Sequence, residues 1–338
     1  MQPPIRVVQY GLGPIGIACA STLLRKEATG RIKLVGAIDI DPDKSGKDLA
    51  TLLQQDAGAD IVVSADSAAV FQQSRPHVVI HTTGSFLERV ETQMVDCLEA
   101  GAHVVSSSEE LSFPYDRHPG IARRLDEAAR AHHAVILGTG VNPGYAMDAL
   151  ALFATGACVD VQRVRVDRVV DASLRREPLQ RKIGAGLTLA DVEIRKRTGL
   201  FGHIGLRESL LLVASGLGWT LDHVEESLDA VLAEESVQTQ YVHVPAGCPA
   251  GIHQRAIGYR NGAEALTLDL KMYVGAQGSY DAVAVEGTPP IDVLIRGGVF
   301  GDTATVATLV NAIPSVMSAS PGLHTVNTLP LPCAFATT

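Results

Sequence analysis

The amino-acid sequence predicts an α/β protein whose first part forms a doubly wound parallel sheet. A second, α+β domain built on a mostly antiparallel sheet is expected to follow it. Two observations lead to this fold class. Strand-like and helix-like segments alternate along residues 5–137, which is typical of parallel sheets with crossover helices. Beyond residue 144, longer runs of alternating polar and apolar residues indicate antiparallel strands.

In the first part, apolar runs and helical spacing define the elements in order. Strands are predicted at residues 5–10, 32–38, 61–63, 76–81, 103–106 and 134–137. Helices are predicted at residues 17–26, 46–57, 67–73, 87–100 and 120–132. Right-handed crossovers between parallel strands would place these helices on both faces of one sheet.

The second part has a different pattern. Helices are predicted at residues 146–154, 204–215 and 221–232, and strands at 161–170, 241–244, 254–259, 266–273 and 291–295. A last apolar helix at 303–312 is expected to pack back on the first domain. We therefore predict a dinucleotide-binding domain at 1–141, a substrate and dimerisation domain at 142–300, and a C-terminal helix and tail at 301–338.

The bulk composition excludes several classes of protein. The chain has 338 residues, 46% of them hydrophobic and 19% charged, which suits a soluble enzyme and excludes a disordered protein. A net charge of −9 argues against a nucleic-acid partner. Five cysteines without paired spacing suit a reducing cytoplasm. With no signal-peptide or membrane-spanning run, we expect a cytoplasmic protein without a membrane partner.

A glycine-rich turn follows the first strand, with Gly11, Gly13 and Gly16 around Pro14 and Ile15. The turn requires a residue without a Cβ at Gly11, and Gly13 lets the backbone approach a pyrophosphate. Gly16 lets the following helix pack closely on the strand, with its N-terminal amides facing the phosphates. This arrangement predicts a Rossmann-type dinucleotide site, whereas the alternative is a tight turn in another α/β protein.

Asp39 ends the second strand, where an acidic residue is expected to accept hydrogen bonds from the adenosine ribose. Its charge would repel a 2′-phosphate, so NAD should be preferred over NADP. Lys44 follows closely enough to soften that repulsion, which leaves use of NADP possible. The alternative interpretation of Asp39 is a helix or turn cap.

Two further strand ends carry small polar and acidic residues, and ligands of open α/β sheets bind at such ends. Thr83, Gly84 and Ser85 would let the backbone approach the ribose and nicotinamide, although a simple Ser/Thr turn explains them equally well. At the next end, the segment 106–114 contains Ser107, Ser108 and two adjacent carboxylates, Glu109 and Glu110. Capping-box spacing from the serines is the structural alternative for these carboxylates.

Residues 138–145 include Asn142 and Pro143 and can present amide groups to a nicotinamide carboxamide, or serve as an interdomain hinge. In the second part, His203 and His253 each lie near glycines, but a single histidine is more often structural than catalytic. No histidine pair has metal-ligand spacing, so we predict no metal site.

Taken together, these motifs resemble one known family. The glycine turn, residues 81–85 (HTTGS), 107–114 (SSEELSFP) and 140–145 (GVNPGY) are similar to 2,4-diaminopentanoate dehydrogenase and the native NAD(P)-dependent amine dehydrogenases. Residues 171–173, 182–186, 202–206 and 311–314 extend the likeness over nearly the whole chain. The resemblance implies reversible oxidative deamination of a primary amine, or reductive amination of a ketone or aldehyde with ammonia.

The resemblance also implies roles for individual residues. A glutamate of the 107–114 segment is the catalytic acid/base in the family, and we place that role on Glu109. Asn311 joins the expected cofactor-binding residues, and a homodimer formed through the second-domain sheet is implied. Our candidates for the substrate pocket are listed here: Tyr145, Arg168, His203 and His253.

Three alternatives remain open beside this reaction. If Arg168 faces the site, it could hold a carboxylate, which would favour a diamino acid as substrate. The chain is also similar to dihydrodipicolinate reductase in its first domain, so a C=N reductase is the competing enzyme class. A nucleotide-bound sensor without turnover is a third possibility, against which Glu109 argues.

Overall fold

The computed structural model describes residues 3–55, 58, 60–199, 201–330 and 332–334. The chain divides into two compact units, one formed by Met1–Tyr145 with Phe300–Thr338 and the other by Ala146–Val299. The segment 301–338, predicted to pack on the first domain, falls in the first unit, although residues 331 and 335–338 lie outside the described residues.

The first unit contains a seven-stranded parallel sheet. Its strands, numbered along the whole chain, are β1 (Ile5–Tyr10), β2 (Ile32–Ile38), β3 (Val63–Ser64), β4 (Val78–His81), β5 (His103–Ser106), β6 (Val135–Gly138) and β15 (Gly322–His324). The strand order is β15-β6-β5-β4-β1-β2-β3, and every pair is parallel. The order reverses between β1 and β4, which is the position where such sheets bind ligands.

Helices cover both faces of this sheet. They are α1 (Pro14–Lys26), α2 (Leu49–Leu53), α3 (Ser67–Ser74), α4 (Leu87–Glu99), α5 (Pro119–Ala131), α10 (Gly301–Asn311) and α11 (Ile313–Ser318). Successive residues of β1 alternate between two cores, because Val7 packs in a cluster with α1, α10 and α11 whereas Val8 packs with α4 and α5. The predicted helix 46–57 is shorter than expected, and its predicted end lies outside the described residues.

The second unit is built on a six-stranded sheet. Its elements are α6 (Ala149–Thr155), β7 (Asp160–Asp171), α7 (Glu177–Lys182), α8 (Leu189–Arg197), α9 (Leu206–Gly216), β8 (His223–Leu232), β9 (Val237–Gln238), β10 (His243–Val244), β11 (Pro249–Arg260), β12 (Ala263–Tyr273), β13 (Tyr280–Thr288) and β14 (Ile291–Arg296). The order is β14-β13-β7-β12-β11-β8, and only the β7–β12 pair is parallel among these described strands. The predicted fold class, a parallel Rossmann sheet plus a mostly antiparallel sheet, is therefore confirmed.

One predicted element has the wrong type. Residues 221–232 were expected to be helical, because Leu221, Val224 and Leu228 recur at helical spacing. The structure instead contains the edge strand β8, which pairs with β11 over ten residues. Ladder hydrogen bonds to a neighbouring strand outweigh the weak local preference for helix. Strand β13 was not predicted from the sequence. It lies between β14 and β7 in the sheet.

None of the helices in the described ranges combines the length and the hydrophobicity that a bilayer span requires.

Candidate active site

The glycine turn after β1 is built by contacts that leave no room for side chains at two of its positions. Gly11 has a φ of +90°, and a Cβ there would lie 2.8 Å from the carbonyl oxygen of Thr82. A Cβ on Gly16 would lie 1.8 Å from the carbonyl oxygen of Gly11. At Gly13, by contrast, none of the described residues beyond its immediate neighbours in the chain comes within 4 Å of the position of a Cβ. The open space at Gly13 is where the motif places a pyrophosphate.

A buried glutamine, which the sequence reasoning missed, fastens this turn to the end of β4. Gln9 Nε2 donates hydrogen bonds of 2.9 Å to the Gly11 carbonyl and 2.9 Å to Thr82 Oγ1. Thr82 Oγ1 in turn donates to the Gly11 carbonyl at 2.9 Å. A polar residue within the apolar β1 run was the available signal, because buried polar side chains need hydrogen-bond partners.

Asp39 lies directly after β2, beside the glycine turn. Its Oδ2 accepts a hydrogen bond of 2.6 Å from the Leu12 amide, and its Oδ1 accepts one of 2.9 Å from the Asp41 amide. Lys44 Nζ lies 3.2 Å from Oδ2 and 3.1 Å from Asp41. Burial acts to lower the pKa of Lys44, but hydrogen bonds to Asp41 and Asp39 outweigh burial and raise that pKa. The site therefore holds a cation against the expected ribose-binding carboxylate.

A pocket of about 430 Å³ opens at the reversal point of the parallel sheet. Its lining residues are Tyr10, Gly11, Gly13, Asp39, Ile40, Lys44, Thr82, Thr83, Gly84, Ser85, Phe86, Arg89, Val90 and Gln93. The open space at Gly13 and the neighbouring carboxylate of Asp39 fit the phosphate and ribose of a dinucleotide. Eight residues of the lining come from 82–93, so the residues after β4 and the first turns of α4 form one wall.

The α4 side of the pocket includes Arg89 and Gln93, neither of which was predicted as a site residue. Both belong to a helix whose buried positions, such as Val90 and Met94, follow core spacing. Arg89 lies over the ring of Phe86, 4.9 Å from its centroid. For the part of the wall formed by α4, the signal in the sequence was a polar glutamine adjacent to the apolar positions of the helix.

Beneath the pocket, His81 is fully buried at the end of β4. Its ring meets the ring of Tyr10 edge-on at 5.5 Å. Burial lowers the pKa of His81 to about 4, with a hydrogen bond to Gln93 acting in the opposite direction. The imidazole is therefore neutral at physiological pH, and it is surrounded by Ser106, Thr83 and Gln93.

The two adjacent glutamates begin a short 3₁₀ helix, Glu109–Ser112, after β5. The segment is fastened to the pocket wall at Ser85, whose carbonyl accepts hydrogen bonds from Ser108 Oγ at 3.0 Å and from the Glu110 amide at 3.4 Å. Ser107 is half-buried, and its amide donates to the His81 carbonyl at 3.0 Å. The expected catalytic segment thus adjoins the expected cofactor wall.

The two carboxylates have different environments. Glu110 is 9% exposed, and its Oε2 accepts a hydrogen bond of 2.7 Å from the amide of Leu87, the first residue of α4. The same oxygen lies 3.0 Å from His118 Nε2. The N-cap residue of the 3₁₀ helix is Ser108, whose side chain forms no cap, so neither Ser106 nor Ser107 has the N-cap position that the capping-box alternative requires. Glu110 instead caps a different helix, while Glu109 is half-buried beside it.

The remaining expected cofactor residues lie in the first unit. Pro14 is the first residue of α1, followed by the half-buried Ile15. Asn142 is buried and joined to Pro143 by a cis peptide bond. Asn311 is the last residue of α10 and half-buried. Their contact with a cofactor stays a prediction.

The expected substrate role of Arg168 is not supported by its surroundings. Arg168 is 3% exposed on β7, and its guanidinium forms an ion pair with Asp281 on β13. It also donates a 2.9 Å hydrogen bond to the carbonyl of Val299. The charge that could have held a substrate carboxylate is therefore already neutralised inside the second unit.

The two candidate histidines lie on opposite faces of the six-stranded sheet. The backbone amide of His203 donates a 2.8 Å hydrogen bond to Gln254, a buried side chain on the face that α9 covers. His253, the preceding residue on β11, points to the other face and lies 3.0 Å from Asp269. Their predicted role in the substrate pocket stays a prediction. Tyr145 is 38% exposed at the limit of the first unit.

Within the described part of the chain, no group of three or more histidine, cysteine, aspartate or glutamate side chains could hold a metal ion.

We predict opposite phenotypes for two alanine substitutions in the glycine turn. Gly13→Ala should keep the wild-type melting temperature but weaken NADH binding at least about tenfold, because its methyl group would occupy the pyrophosphate space. Gly16→Ala should lower the melting temperature by several degrees, because its Cβ would overlap the Gly11 carbonyl. Thermal unfolding and fluorescence titration measure both effects. Wild-type NADH binding by Gly13→Ala would contradict this placement of the cofactor.

Comparison with known proteins gives a consistent result. A 2,4-diaminopentanoate dehydrogenase of Acetoanaerobium sticklandii is 29% identical to this chain, and the match covers 98% of this chain and 94% of that protein. An amine dehydrogenase of Streptomyces virginiae is 23% identical, covering 97% of this chain and 96% of that protein. The solved structure of an amine dehydrogenase from Mycobacterium smegmatis matches with a TM-score of 0.85 and 25% identity, covering 98% and 97% of the two chains.

A family model described as the 2,4-diaminopentanoate dehydrogenase C-terminal domain matches residues 145–338, which is more than half of the chain. The resemblance inferred from the sequence motifs is thereby confirmed. The chain belongs to the 2,4-diaminopentanoate dehydrogenase family.

Proposed function

We propose that this protein is an NAD(P)-dependent amine dehydrogenase. It would catalyse the reversible oxidative deamination of a primary amine and, in reverse, the reductive amination of a ketone or aldehyde with ammonia. The main support for this proposal is that hydrogen bonds join the segment of Glu109 to the carbonyl of Ser85. Ser85 also lines the pocket in which we place the dinucleotide. The family membership and the amine dehydrogenase relatives support the same reaction.

In reductive amination, ammonia adds to the carbonyl carbon to give a carbinolamine, which loses water to form an iminium ion. Glu109 would take a proton from ammonium and return one to the departing hydroxyl group. Its carboxylate would then face the cationic iminium. Proton transfer by a positioned side chain typically contributes about 10²–10⁴-fold to a rate, and a fixed negative charge stabilises the developing cation.

A nicotinamide cofactor, when bound, would provide the hydride chemistry at the iminium carbon in both directions. The residues that would hold the cofactor are those of the glycine turn together with Asp39 and the wall from Thr83 to Ser85. An ionised carboxylate suits a cationic carbon–nitrogen intermediate better than the alkoxide of an alcohol dehydrogenase.

For the substrate, we propose a primary amine that needs no carboxylate. The ion pair between Arg168 and Asp281 supports this choice, because the predicted carboxylate-binding group is already occupied. A diamino acid is the second candidate, favoured by the 29% identity to the dehydrogenase of Acetoanaerobium sticklandii. Activity with aliphatic amines but not with 2,4-diaminopentanoate would favour the amine without a carboxylate over the diamino acid.

For the cofactor, we propose that NAD is preferred and that NADP is also accepted. The Asp39 carboxylate would repel a 2′-phosphate, whereas Lys44 Nζ, only 3.2 Å from it, would attract one. The Lys44 ammonium group would pair with an oxygen of the 2′-phosphate in place of Asp39, because the ribose that carries this phosphate would lie beside Asp39.

We also propose a homodimer in the cytoplasm. It would form through the face of the six-stranded sheet opposite the one that α9 covers. On β7, Val164 and Val166 are buried on one face, whereas Arg165 between them is exposed on the other. Leu294, on β14 of the same exposed face, is 55% exposed. A second copy would cover these side chains. None of the five cysteines, all of them described residues, forms a disulfide, which suits a reducing compartment.

The reaction is tested by NAD(P)H oxidation with a panel of ketones and aldehydes, with and without ammonium. We expect turnover only with ammonium. Glu109→Gln should lower kcat at least about 10²-fold, because the amide cannot exchange protons, while the dissociation constant of NADH stays near wild type. Turnover that does not need ammonium would indicate a carbonyl reductase instead.

The matched control is the neighbouring variant Glu110→Gln. Its amide oxygen can still accept the hydrogen bond from Leu87, so we expect a far smaller loss of kcat. A dead Glu110→Gln enzyme beside an active Glu109→Gln enzyme would reverse the assignment of the two glutamates.

Cofactor preference should respond oppositely to changes in the Asp39–Lys44 pair. Lys44→Gln should weaken NADPH binding roughly 3- to 10-fold more than NADH binding, because it removes the cation for the phosphate. Asp39→Ser should shift preference toward NADPH, because it removes the repelling charge. The ratio of dissociation constants for the two cofactors measures both effects, and an unchanged ratio in both variants would show that the pair does not meet the ribose.

Sedimentation or light scattering should give a mass about twice the 35.6 kDa of one chain. Leu294→Glu should shift the mass toward a single chain by placing an uncompensated charge in the interface. A single-chain mass for the wild-type protein would rule out the dimer, and an unaffected dimer in the variant would rule out this face.

A further inference from the structure

Gln93 occupies a position in the pocket wall for which the proposed reaction gives no role. It is half-buried on α4 and lines the pocket that Asp39 and Lys44 also line. Its side-chain oxygen accepts two hydrogen bonds, one from a residue that lines the pocket and one from the buried His81. Thr83 Oγ1 donates at 2.6 Å, and His81 Nε2 lies 2.9 Å away.

The direction of these hydrogen bonds follows from the other end of the His81 ring. Ser106 Oγ already accepts the amide hydrogen of Ser108 at 3.1 Å, and it lies 2.9 Å from His81 Nδ1. With the Ser106 hydroxyl as donor to Nδ1, the single hydrogen of the neutral ring resides on Nε2, which lies 2.9 Å from both Gln93 Oε1 and Thr83 Oγ1. Because burial lowers the pKa of His81 to about 4, the ring remains in this neutral state at physiological pH.

The amide of Gln93 is therefore oriented by its neighbours. Its oxygen is directed toward His81 and Thr83, so its nitrogen, with two hydrogens, is directed away from them. The nitrogen belongs to a side chain that lines the pocket, and no protein acceptor for it is found among the described residues. A fixed pair of donors on a pocket wall calls for an acceptor on the ligand.

The position of Gln93 in the pocket indicates that the acceptor belongs to the base of the cofactor. The open space at Gly13 suits the pyrophosphate, and Asp39 suits the adenosine ribose. The base then lies beyond the ribose, between the side of Ile40 and the α4 wall of Arg89 and Gln93. Adenine presents ring nitrogens that accept hydrogen bonds along its edges.

We propose that Gln93 recognises the adenine base of the nicotinamide cofactor by donating its amide hydrogens to a ring nitrogen, and that His81 and Thr83 are positioning residues that hold this amide. The inference rests on the proposed use of NAD(P), but not on the amine substrate. One such hydrogen bond contributes about 0.5–1.5 kcal/mol, which corresponds to roughly 2- to 10-fold in affinity.

The test is calorimetric binding of NADH, ADP-ribose and reduced nicotinamide mononucleotide to the full-length protein. Gln93→Leu should weaken NADH and ADP-ribose roughly 2- to 10-fold and leave the mononucleotide unchanged, because the mononucleotide has no adenine. Gln93→Glu should weaken both adenine ligands further, because it keeps the inner acceptor oxygen but replaces the donors with a second, charged acceptor. Gln73→Leu, at an exposed position of α3, is the matched control.

The positioning role has its own readout. Thr83→Val keeps the shape of the side chain but removes the hydroxyl donor, so it should weaken ADP-ribose more than the mononucleotide and leave the melting temperature unchanged. Thr83→Ser restores the hydroxyl and should restore the affinity. Equal weakening of all three ligands by Thr83→Val would mean that the pocket is distorted and that the positioning role is wrong.

Two results would overturn the proposal for Gln93. Unchanged ADP-ribose affinity in Gln93→Leu would show that the side chain does not meet the base. Tighter binding in Gln93→Glu would show that an acceptor, not a donor, faces the ligand. If the wild-type protein binds neither NADH nor ADP-ribose, the cofactor assignment itself fails. If both bind but no amine is oxidised, only the proposed reaction fails.

Discussion

The close contact between the glycine turn and the end of β4 is the constraint on which the first unit depends. A Cβ on Gly11 would lie 2.8 Å from the Thr82 carbonyl, so the two strand ends can meet only without a side chain there. Gln9 then joins the two ends by hydrogen bonds from one buried amide. The sheet order reverses between these strands, and both Gly11 and Thr82 line the pocket at this reversal point.

A second constraint connects this pocket to the expected chemistry. The Ser85 carbonyl accepts hydrogen bonds from both sides of Glu109, through Ser108 Oγ and the Glu110 amide. Glu110 also caps α4, the helix that supplies Gln93 to the same pocket. The pocket wall and the segment that contains Glu109 are thus parts of one hydrogen-bonded assembly, and a shift of either would move the other.

Local pattern predicted the first unit better than the second. The predicted segments overlap β1 to β6 in order, because these strands have apolar runs, but β3 is displaced to Val63–Ser64 and the short strand β15 was not predicted. In the second unit, residues 221–232 have spacing that fits both helix and strand, and pairing with β11 decided for strand. Likewise, the pairing of Arg168 with Asp281 joins residues more than 100 positions apart, which no spacing rule can reveal.

The sequence by itself determined the fold class, the glycine turn, the acidic end of β2 and the presence of two adjacent glutamates after β5, because each depends on residues close together in the chain. Only the tertiary structure decided how these groups are used. It separated Glu110, which caps a distant helix, from Glu109, and it placed His203 and His253 on opposite faces of a sheet. Those distinctions depend on hydrogen-bond partners from other elements, and such partners exist only once the chain has folded.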